Sequence, residues 1–189
     1  MQRISSKMSR ADLHSWDLSA DAARSVQERL RSRVIVEPLP DDVRLVAGTA
    51  CICRAQPHVV ATAVVVSVPE FEVVCVGRAA GDVAFPYEPG LLAFREGPLL
   101  LQAFRRLSRA PDVLLCHAHG VAHPRRFGIA SHLGLLLDLP TVGCAKRLVV
   151  GRHGALATQR GARADIVEGN EVEGSALRTR DEVGPVYVS

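Results

Sequence analysis

No stretch of this 189-residue chain is long and apolar enough to cross a bilayer. The longest apolar run, Val59 to Val68, is about half the ~20 residues that a spanning helix needs. The polar N-terminus also lacks the apolar centre of a secretory leader, so the chain is expected to work in the cytoplasm, away from membranes. Its five cysteines, Cys51, Cys53, Cys75, Cys116 and Cys144, contain no paired C-x-x-C, which argues against a zinc ribbon. Their odd number and their placement in apolar runs argue for reduced, buried thiols rather than a disulfide framework. Internal repeats and low-complexity tracts are absent. The formal charge of +3 is too small to demand a polyanionic partner, though it permits one.

What is present, 48% hydrophobic and 23% charged residues, is enough for one well-buried core. Residues 1–189 are therefore read as a single domain whose first residues, Met1 to Arg10, are disordered. Ser19 is an N-cap for an amphipathic helix with Ala22, Val26, Leu30 and Val34/Ile35 on its apolar side. Arg24, Gln27, Glu28 and Arg31 face elsewhere, and Pro38, Pro40 and Asp41–Asp42 end it. Three Val- and Ile-rich segments follow, Val43 to Cys53, Val59 to Val68 and Phe71 to Ala79. Joined by very short turns, they can only be antiparallel neighbours.

A rigid loop spans residues 82–90. A short helix follows, then a kink or restart at Pro98, and a packed helix to Arg109. The order strand (Val113 to Cys116), helix (Ala130 to Leu137) and strand (Thr141 to Ala145) implies a parallel pair with a right-handed crossover. After a Gly- and Arg-rich tract, β-like pieces close the chain at Ala164–Val167, Ala176–Thr179 and Val186–Val188. This is the order of an α/β, ribonuclease H-like mixed sheet: an antiparallel three-stranded meander, then parallel strands, with flanking helices.

The stretch 113–132 carries four of the seven histidines, and its loop after Cys116 holds His117, His119, His123, Arg125 and Arg126. Polar groups just past a strand's carboxyl end mark the expected place for a site in such folds. Ribonuclease H-like nucleases gather carboxylates there because divalent cations must be held by oxygen ligands beside the scissile phosphate. Glu96 is placed for one such ligand; the plainer reading is a solvated helix-end charge.

Several segments together resemble one family. They are Leu13–Leu18 (LHSWDL), Val46-Ala47-Gly48, Phe85 to Glu96 (FPYEPGLLAFRE), His119 to Arg125 (HGVAHPR), Gly128 to His132 (GIASH), Pro140 to Lys146 (PTVGCAK) and Gly174 to Thr179 (GSALRT). In this order they are similar to endonuclease V. The resemblance implies a Mg²⁺-dependent nuclease in DNA repair that recognises inosine, a deaminated base, in DNA or RNA and hydrolyses a nearby phosphodiester as a monomer. It implies Tyr87, between Pro86 and Pro89, as a wedge entering the duplex. It implies a pocket for the extruded base near Gly120, Gly128, Ile129 and Ser131. Arg125 is implied as a phosphate contact, and Glu96, His123 and Lys146 as the catalytic group. The alternatives are a surface aromatic for Tyr87 and a solvated charge for Lys146.

Two departures bear on the chemistry. The family's Gly-x-Asp reads Gly48-Thr49-Ala50 here, and its Asp-Gly-His-Gly reads His117-Ala118-His119-Gly120. Ala50 offers no ligand, and His117 offers Mg²⁺ a neutral imidazole in place of a hard oxygen, leaving Glu96 and His117 as the metal candidates. Mn²⁺ or Zn²⁺ on His117, His119, His123 and Glu96 is the altered-metal alternative; a histidine tolerated where a carboxylate is no longer needed is simpler. A C-terminal segment of the family is also expected to be missing. The two functional readings are thus an inosine-directed endonuclease with impaired Mg²⁺-dependent cleavage, and a non-catalytic inosine- or nucleic-acid-binding homologue.

Overall fold

Alternation builds the centre of the molecule. Val59, Ala61, Ala63 and Val65 are buried while the residues between them are half-buried, the period of a strand with one covered face. In the computed structural model, which describes residues 13–55 and 57–189, this strand is β2 (His58–Ser67). It lies antiparallel between β1 (Leu45–Ala55) and β3 (Val73–Asp82). The meander is as expected, with each strand displaced a few residues from its predicted bounds. The expectation for Met1 to Arg10 lies outside the described residues.

β1 then pairs in parallel with β4 (Val113–Cys116), and β4 in parallel with β5 (Thr141–Ala145). The Gly- and Arg-rich tract carries β6 (Arg152–His153), and the last pieces are β7 (Arg163–Glu168), β8 (Glu171–Leu177) and β9 (Val186–Val188). One nine-stranded sheet results, in the order β3-β2-β1-β4-β5-β9-β8-β7-β6. The mixed α/β, ribonuclease H-like architecture expected from element order is the one observed.

Among the described residues three α-helices accompany the sheet: α1 (Ala20–Leu30), α2 (Leu92–Arg105) and α3 (Ile129–Leu137). Ser19 caps α1 as predicted, its hydroxyl accepting from the Ala22 amide. Val34 and Ile35 do not belong to that helix. A 3₁₀ turn at Arg31–Arg33 ends it, and Ile35 lies exposed on extended chain. Nor does α2 restart at Pro98: one helix runs through it. The residue before the proline is Gly97, which has no Cβ to clash with the ring, and burial of Leu99, Leu100 and Phe104 offsets the lost backbone bond. Of the cysteines, Cys116 is buried, whereas Cys51, Cys75 and Cys144 are half-buried. No helix among the described residues is long and apolar enough to cross a membrane.

α2 and α3 share one face of the sheet, where Leu99, Leu100 and Phe104 meet Ala61, Ala63 and Ala79, and Leu133 and Leu136 complete the core. Small residues on the strands let α2 come close. At Gly77 a Cβ would collide with the Ala103 carbonyl of α2. Gly77→Ala is therefore expected to destabilise the protein by about 3 kcal/mol, because backbone rather than a flexible side chain has to move. Chemical denaturation is the check, and an unchanged midpoint would refute this contact.

Candidate functional site

The parallel strands carry the site to one end of the sheet. β1 and β4 are in register at Thr49↔Cys116, and the next residues along them are Ala50 and His117. These two positions, where the resemblance leads one to expect carboxylates, are therefore neighbours on adjacent strands. Both are exposed, and Ala50 carries no donor. Lys146, also exposed, follows β5 at the same end.

Glu96 on α2 is half-buried and already engaged. Burial raises its pKa, and the Cys51 thiol donates a hydrogen bond that partly offsets the rise. The thiol is pushed well up by its own burial and by the Glu96 charge. Nothing in the spacing of Cys51 and Glu96 along the chain signals this pairing. Among the described residues, no group of three or more His, Cys, Asp or Glu side chains is arranged to hold a metal ion. The donor set does not fit Mg²⁺. Of the residues of the altered-metal alternative, His123 has both ring nitrogens engaged, whereas His119 keeps an unpartnered Nδ1.

His123 is buried, and both its ring nitrogens are used. Nε2–H donates to the Gly90 carbonyl at 3.1 Å, and Nδ1 accepts the Arg125 amide at 3.2 Å. These partners fix one neutral tautomer. Burial and the Arg125 charge push its pKa down to about 4. His119, lowered by burial alone, has an unpartnered Nδ1.

The focal loop is clamped by two glycines. A Cβ on Gly128 would strike the His119 carbonyl, and one on Gly143 would strike the Gly120 amide. The backbone at His119-Gly120 is thus pressed between the start of α3 and β5. Of the expected pocket residues, Gly120 and Ser131 line a groove of about 560 Å³ beside this loop. Gly128 and Ile129 are buried beneath it.

The Pro86-Tyr87-Glu88-Pro89-Gly90 loop stands next to His123 and Arg125. Tyr87 is 69% exposed at its tip, on backbone held by the two prolines. Gly90 ends the loop at φ +80°, and its carbonyl receives three donors: His123 Nε2, Arg125 Nη2 at 3.1 Å and Gln27 Nε2 at 2.9 Å.

Gln27 is the site residue that sequence reading assigned wrongly. It was expected on the wet side of α1, yet it is 1% exposed. The signal was available in the spacing. Ala23, Val26, Gln27 and Leu30 follow the i, i+3, i+4, i+7 stripe of a packed helix face, with one polar member. A second missed residue is Glu173 on β8, 4% exposed, which pairs with Arg126 at 2.6 Å. Glu171 also pairs with Arg126, holding this loop residue at its positive φ of 53°.

Comparison with known proteins places this geometry. The family model for Endonuclease V matches residues 28–189. The endonuclease V of Gloeobacter violaceus is 48% identical over 181 residues, covering 94% of this chain and 74% of that protein. That of Roseiflexus sp. (strain RS-1) is 46% identical over 174 residues, covering 92% and 78%. The crystal structure of endonuclease V from Streptomyces avermitilis superposes with a TM-score of 0.85 at 43% identity, over 93% of this chain and 78% of that one. Ciona intestinalis endonuclease V, solved in complex with a 24mer DNA containing an inosine followed by a ribo-adenosine, gives 0.76 at 28% identity, over 89% and 81%. From sequence and fold alike, this chain belongs to the endonuclease V family.

Proposed function

We propose that this chain recognises inosine in a DNA or RNA strand and that its Mg²⁺-dependent cleavage of the neighbouring phosphodiester is impaired. The observation that carries the recognition half is the meeting of the Tyr87 loop with His123 and Arg125 at the Gly90 carbonyl. An exposed aromatic on a stiff loop suits insertion beside a base that must leave the stack. Arg125 next to it suits a phosphate contact, which positions the strand without reading its sequence. Gly120, Ser131 and the backbone at Gly128 and Ile129 are the proposed walls for the extruded base. The Ciona relative, bound to inosine-containing DNA, supports the same ligand class.

The cleavage half rests on donors. Glu96, His123 and Lys146 are the groups proposed for the phosphate side, but Glu96 is half-buried beside the Cys51 thiol and His123 is neutral with both nitrogens occupied. A single carboxylate does not offset a divalent cation. This favours a second reading, a homologue that binds inosine without cutting. On either reading the chain is a single-domain monomer acting in the cytoplasm on deaminated nucleic acid.

One paired assay tests both. Purified protein is incubated with inosine-containing and matched adenosine-containing oligonucleotides in Mg²⁺ and in Mn²⁺, scoring gel shift and nicking together. Selective shift with weak or absent nicking is the expected result. Vigorous nicking in Mg²⁺ would overturn the impairment, and absence of both shift and nicking would overturn the family activity for this chain.

A further inference from the structure

The first helix of the fold reaches into the site at two points. Arg24 Nη2 donates to Glu88 Oε2 at 2.6 Å, so α1 holds the residue next to Tyr87. One turn on, the Gln27 side chain makes three hydrogen bonds. Its Oε1 accepts Arg125 Nε at 2.6 Å, while its Nε2 donates to the carbonyls of Gly90 and Phe127, both at 2.9 Å. The partners fix the amide's orientation. A guanidinium only donates and a carbonyl only accepts, so the oxygen has to face Arg125 and the nitrogen the two carbonyls.

These bonds join three segments remote in sequence: α1, the loop ending at Gly90, and the stretch from His123 to Phe127. A fully satisfied, buried amide is a rigid junction. It also leaves Arg125 Nη1 as the guanidinium nitrogen without a hydrogen bond among the described residues, because Nε is on Gln27 and Nη2 on Gly90. The same junction thus sets where Tyr87 stands and which edge of Arg125 is presented.

We propose that Gln27 is a positioning residue that couples the Tyr87 loop to Arg125, so that wedge and phosphate contact act as one unit. The roles of those two groups rest on the proposed function; the coupling of the loops does not. Few other side chains can do this. Methionine keeps the volume and loses all three bonds. Glutamate keeps an acceptor for Arg125 but turns its second oxygen onto the Gly90 and Phe127 carbonyls.

The experiment compares the full chain with its Gln27→Met and Gln27→Glu variants in two measurements. The first is the ratio of affinities for inosine- and adenosine-containing oligonucleotides. The second, which needs no ligand, is amide hydrogen exchange across residues 85–91 and 123–128. Gln27→Met is expected to lower the ratio about tenfold, the equivalent of one charge-assisted hydrogen bond. It is also expected to speed exchange in both segments together, with protection retained in β1 and β2. Gln27→Glu is expected to loosen 85–91 more than 123–128, since its bond to Arg125 survives.

Unchanged exchange in both segments, or loosening of only one in Gln27→Met, would overturn the coupling. If the parent chain itself shows no inosine preference, the proposed function fails and the exchange data alone decide the coupling. Should Gln27→Met fail to fold, the graded response of Gln27→Glu decides. Global unfolding of both variants would mean a purely structural role and would overturn the proposal.

Discussion

Restoring both carboxylates, Ala50→Asp together with His117→Asp, is expected to raise Mg²⁺-dependent nicking of an inosine-containing strand at least about a hundredfold over the parent chain. The geometry is favourable because the two positions are consecutive to the registered pair Thr49↔Cys116 on parallel neighbours. Adjacent strands lie about 4.8 Å apart, so two aspartates there can share a cation. Charge is the second reason, since two added carboxylates supply what Glu96 alone lacks. Glu96 stands beside the Cys51 thiol, and an incoming cation would favour its charged form against the burial that raises its pKa. Each single variant is expected to recover far less than the pair. Nicking rates at fixed Mg²⁺, with folding confirmed by circular dichroism, are the measurement. A well-folded double variant that stays silent would mean that the site is damaged beyond these two residues.

The protein is also expected to lose about 4 kcal/mol of stability between pH 7.5 and pH 5.0. Two deeply buried imidazoles account for this figure, and His14 and His119, also lowered by burial, act in the same direction. His132 on α3 is 0% exposed, and burial together with His14 lowers its pKa to about 3; His123 is lowered to about 4. Their surroundings explain why protons are refused. His14 Nδ1–H donates to the Ser15 carbonyl, so its Nε2 is a bare acceptor, and the 2.6 Å contact requires His132 Nε2 to carry the hydrogen. The remaining His132 Nδ1 is then a buried acceptor without a partner, walled by Trp16, Phe94 and Phe127. A depressed histidine binds protons more readily in the unfolded chain. Its contribution to stability is therefore complete above the ordinary pKa of 6.5 and declines as pH falls below it, toward the folded values. Each ring contributes a slope of about 1.4 kcal/mol per pH unit in that window. Glu96, whose pKa is raised, has the opposite sign and offsets a little of the loss at the acid end. Urea midpoints at the two pH values test this. A flat profile would mean that the rings are accessible to protons in the folded state.

The strand half of the fold was legible because its signals are local. Alternating burial along His58–Ser67 and the tight connections on either side of it leave no option but an antiparallel meander, and the β-α-β order after Val113 dictates a parallel pair. Strand ends were less legible, since pairing decides them. β8 starts at Glu171 rather than Ala176 because β7 opposite it extends to Glu168. The misread residues are those whose partners are distant in sequence. Gln27 looked like a solvated helix residue until Arg125, 98 residues away, supplied its match. His132 carried no reading beyond its place in the GIASH segment, and its partner is 118 positions upstream. Pro98 looked like a breaker because the burial that outweighs it belongs to the assembled sheet. In the site, the family's motifs pointed to Tyr87, Gly120, His123 and Arg125. The Cys51–Glu96 contact and the Arg126–Glu173 pair depend on how strands and helices are laid side by side.

The nine-stranded sheet is not uniformly strong along its width. β1 and β2 are registered over ten pairs, whereas β5 and β9 are registered only at Cys144↔Val188 and Ala145↔Tyr187 and flanked by the reciprocal Gly143–Ser189 bonds. This narrow join is a seam, along which the arm formed by β6 to β9 is expected to open before the helix-covered core. Glu171 and Glu173 belong to that arm, while Arg126, which they hold, belongs to the loop beside His123. Sub-global opening along the seam is thus expected to strip Arg126 of both counter-ions while the helix-covered core stays folded, which would tie the order of the loop beside His123 to the arm.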